Sequence, residues 1–597
     1  MDFSLKNHKL WFGLAFMLAL LVRLLRLGEV PLSDAEAAWA LQAFDLARGL
    51  PIDFGPQPGY VNLTAVLFFV LQSSNFVARL LPALVGSALV LAPALFRERL
   101  GEKAAIILAF VLAFEPGLLA LSRTAGSPIL AISLVVLAWG AWRNGFVRLA
   151  GFLAGLALLS GSALWPGLIA LALALVLARY FSPEVPFEFD REQARQALYF
   201  AIGTYLVFGS LFLLAPGGLG AGLASLGDFF ARFTADAGAP VWLPLVALFF
   251  YQFPALVLAL VALARLFERR DPLVIFLGLW FLFSLLLALL FPSRQVADLG
   301  WSLVPLSTLA ALEAARWLRS IAPLIEIHYQ KLAEPSNFSA ALPDSDEETF
   351  ESEPQPIYVS SGVWETLGMS LLTFILLAFA WLNFAGAALV TFDAAGTQLR
   401  WLVTAGALVL LALSVLLVAF GWSKQVAAQG FFWGMLPALA IYSLAMASFA
   451  ANLRPNATVE MWPSGPQTRE IGVIATQARE LSLTARGADL ALRVALVDID
   501  SPALRWLLRE WQVSSSKALS LESNPDLIVM PSQASMPELE AGYRGATLAF
   551  RSYPGWEGSL PDEWLRWVVN HDLPQGYETV LFWARTDLFP DSQNLVP

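Results

Sequence analysis

The sequence contains no cysteine and has only three histidines among its 597 residues. Without cysteine, the chain cannot form disulfides, use a thiolate as a nucleophile or bind a metal through sulfur. The three histidines, His8, His328 and His571, lie far apart in the sequence, so we do not expect a histidine-based metal cluster. Charged residues are also scarce, at 14%, and the net charge of −10 excludes the basic surface of a nucleic-acid-binding protein.

Apolar side chains, in contrast, are in excess. Hydrophobic residues make up 58% of the chain, which no water-soluble fold can bury, so the sequence predicts an all-α polytopic membrane protein. Thirteen apolar segments come close to the roughly 17–25 residues that a bilayer requires. They lie at about 10–27, 76–96, 103–121, 127–143, 147–163, 165–181, 195–215, 240–266, 272–291, 298–319, 363–388, 401–421 and 429–451.

The positions of the basic residues indicate which loops face the cytoplasm. With the N-terminus inside, the predicted inner loops carry clusters of arginine such as Arg97, Arg99 and Arg143, in agreement with the positive-inside rule. Counting the shorter apolar stretch from Tyr60 to Gln72 as a span would reverse this pattern, so we interpret it as re-entrant or interfacial. The resulting thirteen-helix topology places the C-terminus outside and predicts a multi-pass protein of a prokaryotic plasma membrane.

Two polar regions interrupt the apolar pattern. The acidic segment 321–362 is predicted to be a solvated cytoplasmic linker, because low hydrophobicity with like charges resists folding. It separates a membrane core at 1–320 from additional transmembrane helices at 363–452. The region 466–597 is predicted to form a small extracytoplasmic α/β domain, because its strands and helices alternate. We interpret this domain as an appendage of the membrane part, with a separate enzyme as the alternative.

The elements of the C-terminal domain can be predicted individually. Ser501 is expected to cap a helix because Pro502 follows it in the first turn. The predicted helices lie at 468–484 and 501–511, and the predicted strands at 490–499, 526–530, 546–553 and 579–584.

Two acids begin a predicted helix in the first outer loop, directly after the first span. Ser33 and Glu36 have the spacing of a capping box, which gives Glu36 a purely structural interpretation. The box does not require Asp34, although the helix dipole also favours an acid at that position. The functional alternative is that Asp34 is a carboxylate held at the membrane surface to bind an acceptor hydroxyl.

Four short motifs occur in order between residues 10 and 320. They are Pro31-Leu-Ser-Asp34-Ala-Glu36-Ala, Asn75-Phe-Val-Ala-Arg79 through Pro82 to Gly86, Glu115-Pro116 followed by Ser122-Arg123, and Pro292-Ser-Arg294 leading to Pro305-Leu306. With these motifs the chain resembles GT-C superfamily glycosyltransferases, which include protein O-mannosyltransferases and lipid A aminoarabinose transferases. It departs from these families at three places. Ala35 splits the usual Asp-Glu pair, and Gly126 and Ser127 stand where an acid is common. The families often have a basic residue with paired prolines before the short second apolar segment, and here that motif is replaced by Gln57-Pro58-Gly59-Tyr60.

The resemblance implies a GT-C-like helical bundle and a reaction. Such enzymes move a sugar, with inversion, from a polyprenyl-phosphate donor to an acceptor hydroxyl of a glycan, lipid or protein. Asp34 would then be the general base and Glu36 a second carboxylate, and both would be ligands if a divalent cation is the cofactor. Arg123 and Arg294 would bind the donor phosphate, since arginine can grip phosphate with two hydrogen bonds.

Plainer interpretations remain open for these residues. Arg123 and Arg294 could be interfacial arginines at span ends, and Asp298 could be a helix cap. Arg79 is expected to pair with a carboxylate, and Arg23 and Arg26 to hold the first loop or the lipid phosphate. The alternative functions are a non-catalytic membrane scaffold and a transporter of lipid-linked sugars.

Overall fold

The computed structural model describes residues 8–181, 190–267, 270–333, 361–389, 394–454, 460–462, 466–468, 470–519, 524–534, 539–554 and 564–589. The chain packs as two units, one made of Met1–Ala311 with Ala445–Pro597 and the other of Leu312–Leu444. Most of the predicted linker at 321–362 lies outside the described residues. Its first part continues the helix that begins at Gly300. The domain boundaries given above therefore stay predictions.

The N-terminal part of the chain, up to residue 333, is helical. Its helices are α1 (His8–Leu24), α2 (Asp34–Ala47), α3 (Pro58–Leu71), α4 (Asn75–Leu89), α5 (Ala92–Leu95), α6 (Arg97–Leu100), α7 (Glu102–Phe114), α8 (Pro116–Ser122), α9 (Ile129–Arg143), α10 (Val147–Leu158), α11 (Leu164–Phe181), α12 (Arg191–Gly209), α13 (Gly217–Ala231), α14 (Trp242–Tyr251), α15 (Phe253–Ala264), α16 (Pro272–Leu290) and α17 (Gly300–Ala333). They are followed by α18 (Ser361–Leu389), α19 (Ala394–Gly421) and α20 (Lys424–Ala450).

Helices occupy all thirteen of the predicted apolar segments. Within the described ranges, six helices are long and apolar enough to cross a membrane, and eight if two bent pairs each count as one span. The protein is therefore a multi-pass membrane protein. The full count of thirteen stays a prediction, because several segments contain helices that are short or broken. The stretch from Tyr60 to Gln72 is the helix α3.

A buried arginine replaces the hydrogen bonds that one broken span loses. The axes of α7 and α8 are bent by 55° at Glu115, where Pro116 has no N–H to donate to the carbonyl of Leu112. Arg23 of α1 is fully buried and donates to the carbonyl oxygens of Leu112 and Ala113, at 3.2 and 3.0 Å. Arg23 thus holds a helix end rather than the first loop or a lipid phosphate, because the break leaves carbonyls in apolar surroundings.

The C-terminal domain is built on a five-stranded mixed sheet. Its strands are β1 (Arg493–Val497), β2 (Gln512–Ser516), β3 (Leu527–Pro531), β4 (Tyr543–Pro554) and β5 (Gln575–Arg585), in the order β2-β1-β3-β5-β4. The strand β1 is parallel to β2 and β3, whereas β5 is antiparallel to β3 and β4. The domain's helices are α21 (Ile471–Arg486), α22 (Pro502–Leu507) and α23 (Trp564–Asn570).

The sequence predicted most of these elements, including the cap of α22. The side chain of Ser501 accepts a hydrogen bond from the backbone N–H of Leu504, and Pro502 is the first helical residue. Two elements were missed. The strand β2 is serine-rich and exposed, so it lacks the apolar alternation of a strand, and the helix α23 is only seven residues long.

Candidate functional site

The first turn of α2 carries both predicted acids, and its capping box is confirmed. The hydroxyl of Ser33 accepts a hydrogen bond from the N–H of Glu36 at 3.3 Å. In return, the carboxylate of Glu36 accepts from the N–H of Ser33 at 3.0 Å. This reciprocal pair satisfies two backbone donors and fixes the direction in which α2 begins.

Glu36 is buried and is bound by an arginine from α4. Nε and Nη2 of Arg79 donate to the two carboxylate oxygens of Glu36 at 2.7 and 2.8 Å, which confirms that Arg79 pairs with a carboxylate. The N–H of Ala125 donates to the same carboxylate at 2.9 Å. Burial alone would raise the pKa of Glu36, but Arg79 and these backbone donors outweigh burial and hold the pKa below its usual value.

The same arginine also ties the first outer loop together. Besides Glu36, Arg79 donates to the carbonyl oxygens of Leu27, Val30 and Pro31. The motif residues Glu36 and Arg79 therefore form one structural unit that presents Asp34 at the start of α2.

Asp34 faces the other way and is bound by the C-terminal domain. Its Oδ1 accepts hydrogen bonds from the hydroxyl of Ser501 at 2.6 Å and from the N–H of Ala503 at 3.0 Å. Its Oδ2 accepts from Nε of Arg551 at 2.9 Å, and Nη2 of the same guanidinium forms an ion pair with Oδ2 at 2.7 Å. An ionised carboxylate offers about four acceptor positions, and Asp34 uses three of them for hydrogen bonds beside the ion pair.

Arg551 is the site residue that sequence reasoning missed. It lies on β4, and its guanidinium contacts Glu578 at 3.4 Å as well as Asp34. Partial burial alone would lower the pKa of Arg551, but the two carboxylates outweigh it and raise the pKa above its ordinary value. Because 517 residues separate Arg551 from Asp34, no local pattern in the sequence could have joined them.

A tryptophan fastens the C-terminal domain beside this contact. Trp506 of α22 is buried, and its indole N–H donates to Oδ1 of Asn75 at 2.8 Å. Its ring stacks on Phe68 with the ring centroids 5.6 Å apart. Asn75 belongs to the second of the sequence motifs, so this motif also binds the domain.

A second, fully buried contact lies where α14 and α15 meet. Glu460 accepts a hydrogen bond from the hydroxyl of Tyr251, and its other oxygen lies 2.9 Å from Nδ1 of His571. The axes of α14 and α15 are bent by 89° next to Tyr251. His571 follows α23, so this contact joins the C-terminal domain to a broken span.

The two arginines proposed to bind phosphate make contacts with backbone carbonyls. Arg123 donates to the carbonyls at the end of α1, with distances of 3.0 Å to Val22 and 2.8 Å to Leu25. Arg294 donates to the carbonyl oxygens of Leu289 and Ala239 at 3.1 and 3.2 Å. Arg123 lies two residues before Ala125, which binds Glu36, so it is near the acids. The contacts of Arg294 place it instead with the segment that follows α13.

Asp298 has the capping role that the sequence favoured. Its carboxylate accepts from the N–H of Gln295 at 2.9 Å and pairs with Arg232 at 2.6 Å. Asp298 thereby completes the capping box of the 3-10 turn Val296–Leu299, which directly precedes α17.

The acids do not fit a metal ion in this arrangement. The carboxylate oxygens of Asp34 and Glu36 already accept hydrogen bonds from arginines, hydroxyls and backbone N–H groups. Within the part of the chain that the structure describes, no group of three or more potential ligands could hold a metal ion. We therefore derive no chemical step through a cation.

Two solved structures share the architecture of this chain. The ArnT of Cupriavidus metallidurans bound to undecaprenyl phosphate is 13% identical, with a TM-score of 0.53, over 97% of this chain and 98% of that chain. The apo state of the same ArnT is 14% identical, with a TM-score of 0.51, over 87% and 93%. The chain has the fold of GT-C superfamily membrane glycosyltransferases. No protein-family model matches the sequence, and no curated protein matches it significantly.

The likeness to this ArnT extends over nearly the whole length of both chains, so it includes the C-terminal domain. Within this fold, the four predicted site residues do not share one set of partners. Asp34 and Glu36 flank one helix turn, Arg123 lies near Glu36, and Arg294 has separate contacts. Asp34 differs from the other three because it contacts Ser501 and Arg551 of the C-terminal domain.

Proposed function

We propose that the protein transfers a sugar from a polyprenyl-phosphate donor to an acceptor hydroxyl, with inversion at the anomeric carbon. The observation that carries the proposal is the full-length likeness to a GT-C protein whose structure holds undecaprenyl phosphate. The reaction would take place at the outer face of a prokaryotic plasma membrane, where the predicted topology puts α2 and the C-terminal domain.

Asp34 is the proposed general base. Transfer requires the acceptor to lose a proton as its oxygen attacks, and a positioned carboxylate can accelerate this step by roughly 10²–10⁴-fold. Asp34 supports this role because its side chain remains 26% exposed at the start of a helix. Glu36 is proposed as a positioning residue, because its carboxylate is committed to Arg79 and holds the loop that carries Asp34.

Arg123 and Arg294 remain the proposed phosphate-binding residues. A leaving phosphate needs positive charge where its own charge grows, and the described hydrogen bonds of each arginine go to carbonyl oxygens. Since a carbonyl is a neutral acceptor, a phosphate could replace it with a charge-assisted hydrogen bond.

One observation favours the scaffold as a second candidate. The protein itself supplies three hydrogen bonds and an ion pair to Asp34, as expected for a residue that only fastens the C-terminal domain. A scaffold would turn over no donor, whereas a glycosyltransferase must release Asp34 during its cycle.

The test is sugar transfer by the full chain in detergent, with a panel of undecaprenyl-phosphate sugars as donors. We expect Asp34→Asn to lower turnover by about 10²-fold or more, as the loss of a general base does. Asp45→Asn on the same helix is the matched control and should keep its turnover. Wild-type turnover in Asp34→Asn would remove Asp34 from the mechanism, and a wild type that uses no donor would favour the scaffold.

A further inference from the structure

The hydroxyl of Ser501 lies where a general base would hold its substrate. Its oxygen is 2.6 Å from Oδ1 of Asp34, which is within the roughly 2.6–3.2 Å that proton abstraction requires. Serine carries a primary alcohol, and this alcohol donates a hydrogen bond to the carboxylate. The contact therefore has the chemistry of an acceptor bound to a base, formed within the chain.

We propose that Ser501 occupies the acceptor subsite of the resting protein, and that an acceptor alcohol replaces it on Asp34 before transfer. This inference rests on the proposed function and identifies where its second substrate binds. The subsite is bounded by Arg551 on one side and by the N–H of Ala503 on the other.

The hydrogen bonds of Asp34 show which donor would leave. Oδ1 already accepts two hydrogen bonds and Oδ2 is held by the guanidinium of Arg551, so an acceptor can bind Oδ1 only when one of its donors departs. The bond to Arg551 joins two charged groups, and the N–H of Ala503 is fixed in the backbone of α22. Ser501 is the neutral, rotatable donor, and its oxygen still accepts from Leu504 after its proton turns away.

The surroundings of Ser501 are consistent with such an exchange. Ser501 itself is buried, so the segment before α22 has to shift when an acceptor enters. The preceding residue Asp500 is 90% exposed, and residues 498–501 form no helix or strand. The carbonyl of Asp500 accepts from Nη2 of Arg551 at 3.3 Å, so a movement of this loop that uncovers Oδ1 of Asp34 also breaks that contact. The hydrogen bond from Nε of Arg551 to Oδ2 of Asp34 does not involve the loop.

Once the acceptor alcohol is bound to Asp34, the sugar is transferred by displacement at its anomeric carbon. Its oxygen bonds to the anomeric carbon of the donor while its proton passes to Asp34. The bond between that carbon and the lipid phosphate breaks, with the electron pair remaining on the phosphate oxygen. The products are the glycoside and the polyprenyl phosphate, and the proton on Asp34 returns to water.

The experiment measures transfer to glycerol from the donor that the wild type uses. Ser501→Ala and Ser501→Gly both remove the hydroxyl, and glycine keeps most of the helix-capping preference. We expect both variants to raise kcat/KM for glycerol about fivefold, the factor that loss of one competing hydrogen bond gives. Ser501→Thr keeps the hydroxyl and should show no increase.

Thr468→Val is the matched control for looser docking. The hydroxyl of Thr468 donates to the carbonyl of Leu32 at 2.9 Å, so it joins the same two regions without touching Asp34. We expect its kcat/KM to stay at the wild-type value. An equal increase in Thr468→Val, or no increase in either hydroxyl-free variant, overturns the subsite while the proposed function stands. A wild type that transfers from no donor overturns both.

Discussion

The two faces of the first turn of α2 carry similar ion pairs in different surroundings. Glu36 and Arg79 meet at 2.7 Å with side chains that are 6% and 7% exposed. Asp34 and Arg551 also meet at 2.7 Å, but their side chains are 26% and 18% exposed. Both carboxylates are held by several donors of the protein, since Glu36 accepts five hydrogen bonds and Asp34 accepts three.

Burial is what separates the two pairs. Water can solvate Asp34 and Arg551 when they part, and such pairs near the surface contribute about 0–1 kcal/mol. Parting Glu36 from Arg79 would leave a charge without water, at a cost of about 3–5 kcal/mol. Glu36 is therefore suited to hold the loop permanently, whereas Asp34 is suited to exchange partners during a reaction.

Arg79→Gln should have the largest effect on stability. Glutamine removes the charge that compensates Glu36 in a buried site, so we expect a loss of about 3–5 kcal/mol in the free energy of unfolding. The measurement is unfolding of the full chain in detergent, with Arg99→Gln on the exposed surface of α6 as the matched control. A loss below about 1 kcal/mol, the range of exposed pairs, would make the two faces of α2 equivalent.

Glu460→Ala extends the comparison to a third acid, which is as buried as Glu36. The side chains of Glu460 and His571 are 1% and 0% exposed, and alanine removes the carboxylate that contacts both His571 and Tyr251. Two lost buried contacts at about 1–2 kcal/mol each predict a loss of roughly 2–4 kcal/mol in unfolding free energy.

Glu480→Ala, at an exposed position of α21, is the control for this change. If both variants melt together with the wild type, the buried contact does not fasten the C-terminal domain. Loss of stability in Glu460→Ala alone would support it as the permanent attachment, beside the exchangeable one at Asp34.

Local sequence patterns were enough to predict one face of α2. The capping box depends on a spacing of three residues between Ser33 and Glu36, and the cap at Ser501 depends on the proline beside it. The apolar segments also followed from composition alone, since span length is set by the bilayer. Pairing of Arg79 with a carboxylate followed from the cost of an unpaired buried charge.

The other face could not be predicted, for a physical reason. The contact of Asp34 with Arg551 depends on how a sheet packs against a helix more than 500 residues away. Periodicity and capping in a single sequence predict local geometry, but they do not predict which distant elements pack against each other. The sequence therefore suggested that Asp34 was exposed, with only a helix-dipole contact, whereas the structure binds it to a second domain.

Arg551→Gln should have the smallest effect on stability and tests the exchangeable face directly. The pair is partly exposed, so we expect a loss of at most about 1 kcal/mol in the free energy of unfolding. Salt should weaken the wild-type pair further, because the Debye length falls from about 10 Å at 0.1 M to about 3 Å at 1 M. The difference in free energy of unfolding between Arg551→Gln and wild type should therefore shrink from about 0.1 M to about 1 M salt.

The control is Arg544→Gln on the same strand, because the guanidinium of Arg544 lies over the ring of Phe589. A loss as large as that of Arg79→Gln, unchanged by salt, would show that Asp34 is as permanently bound as Glu36, and the exchange of acceptors on Asp34 would then be untenable.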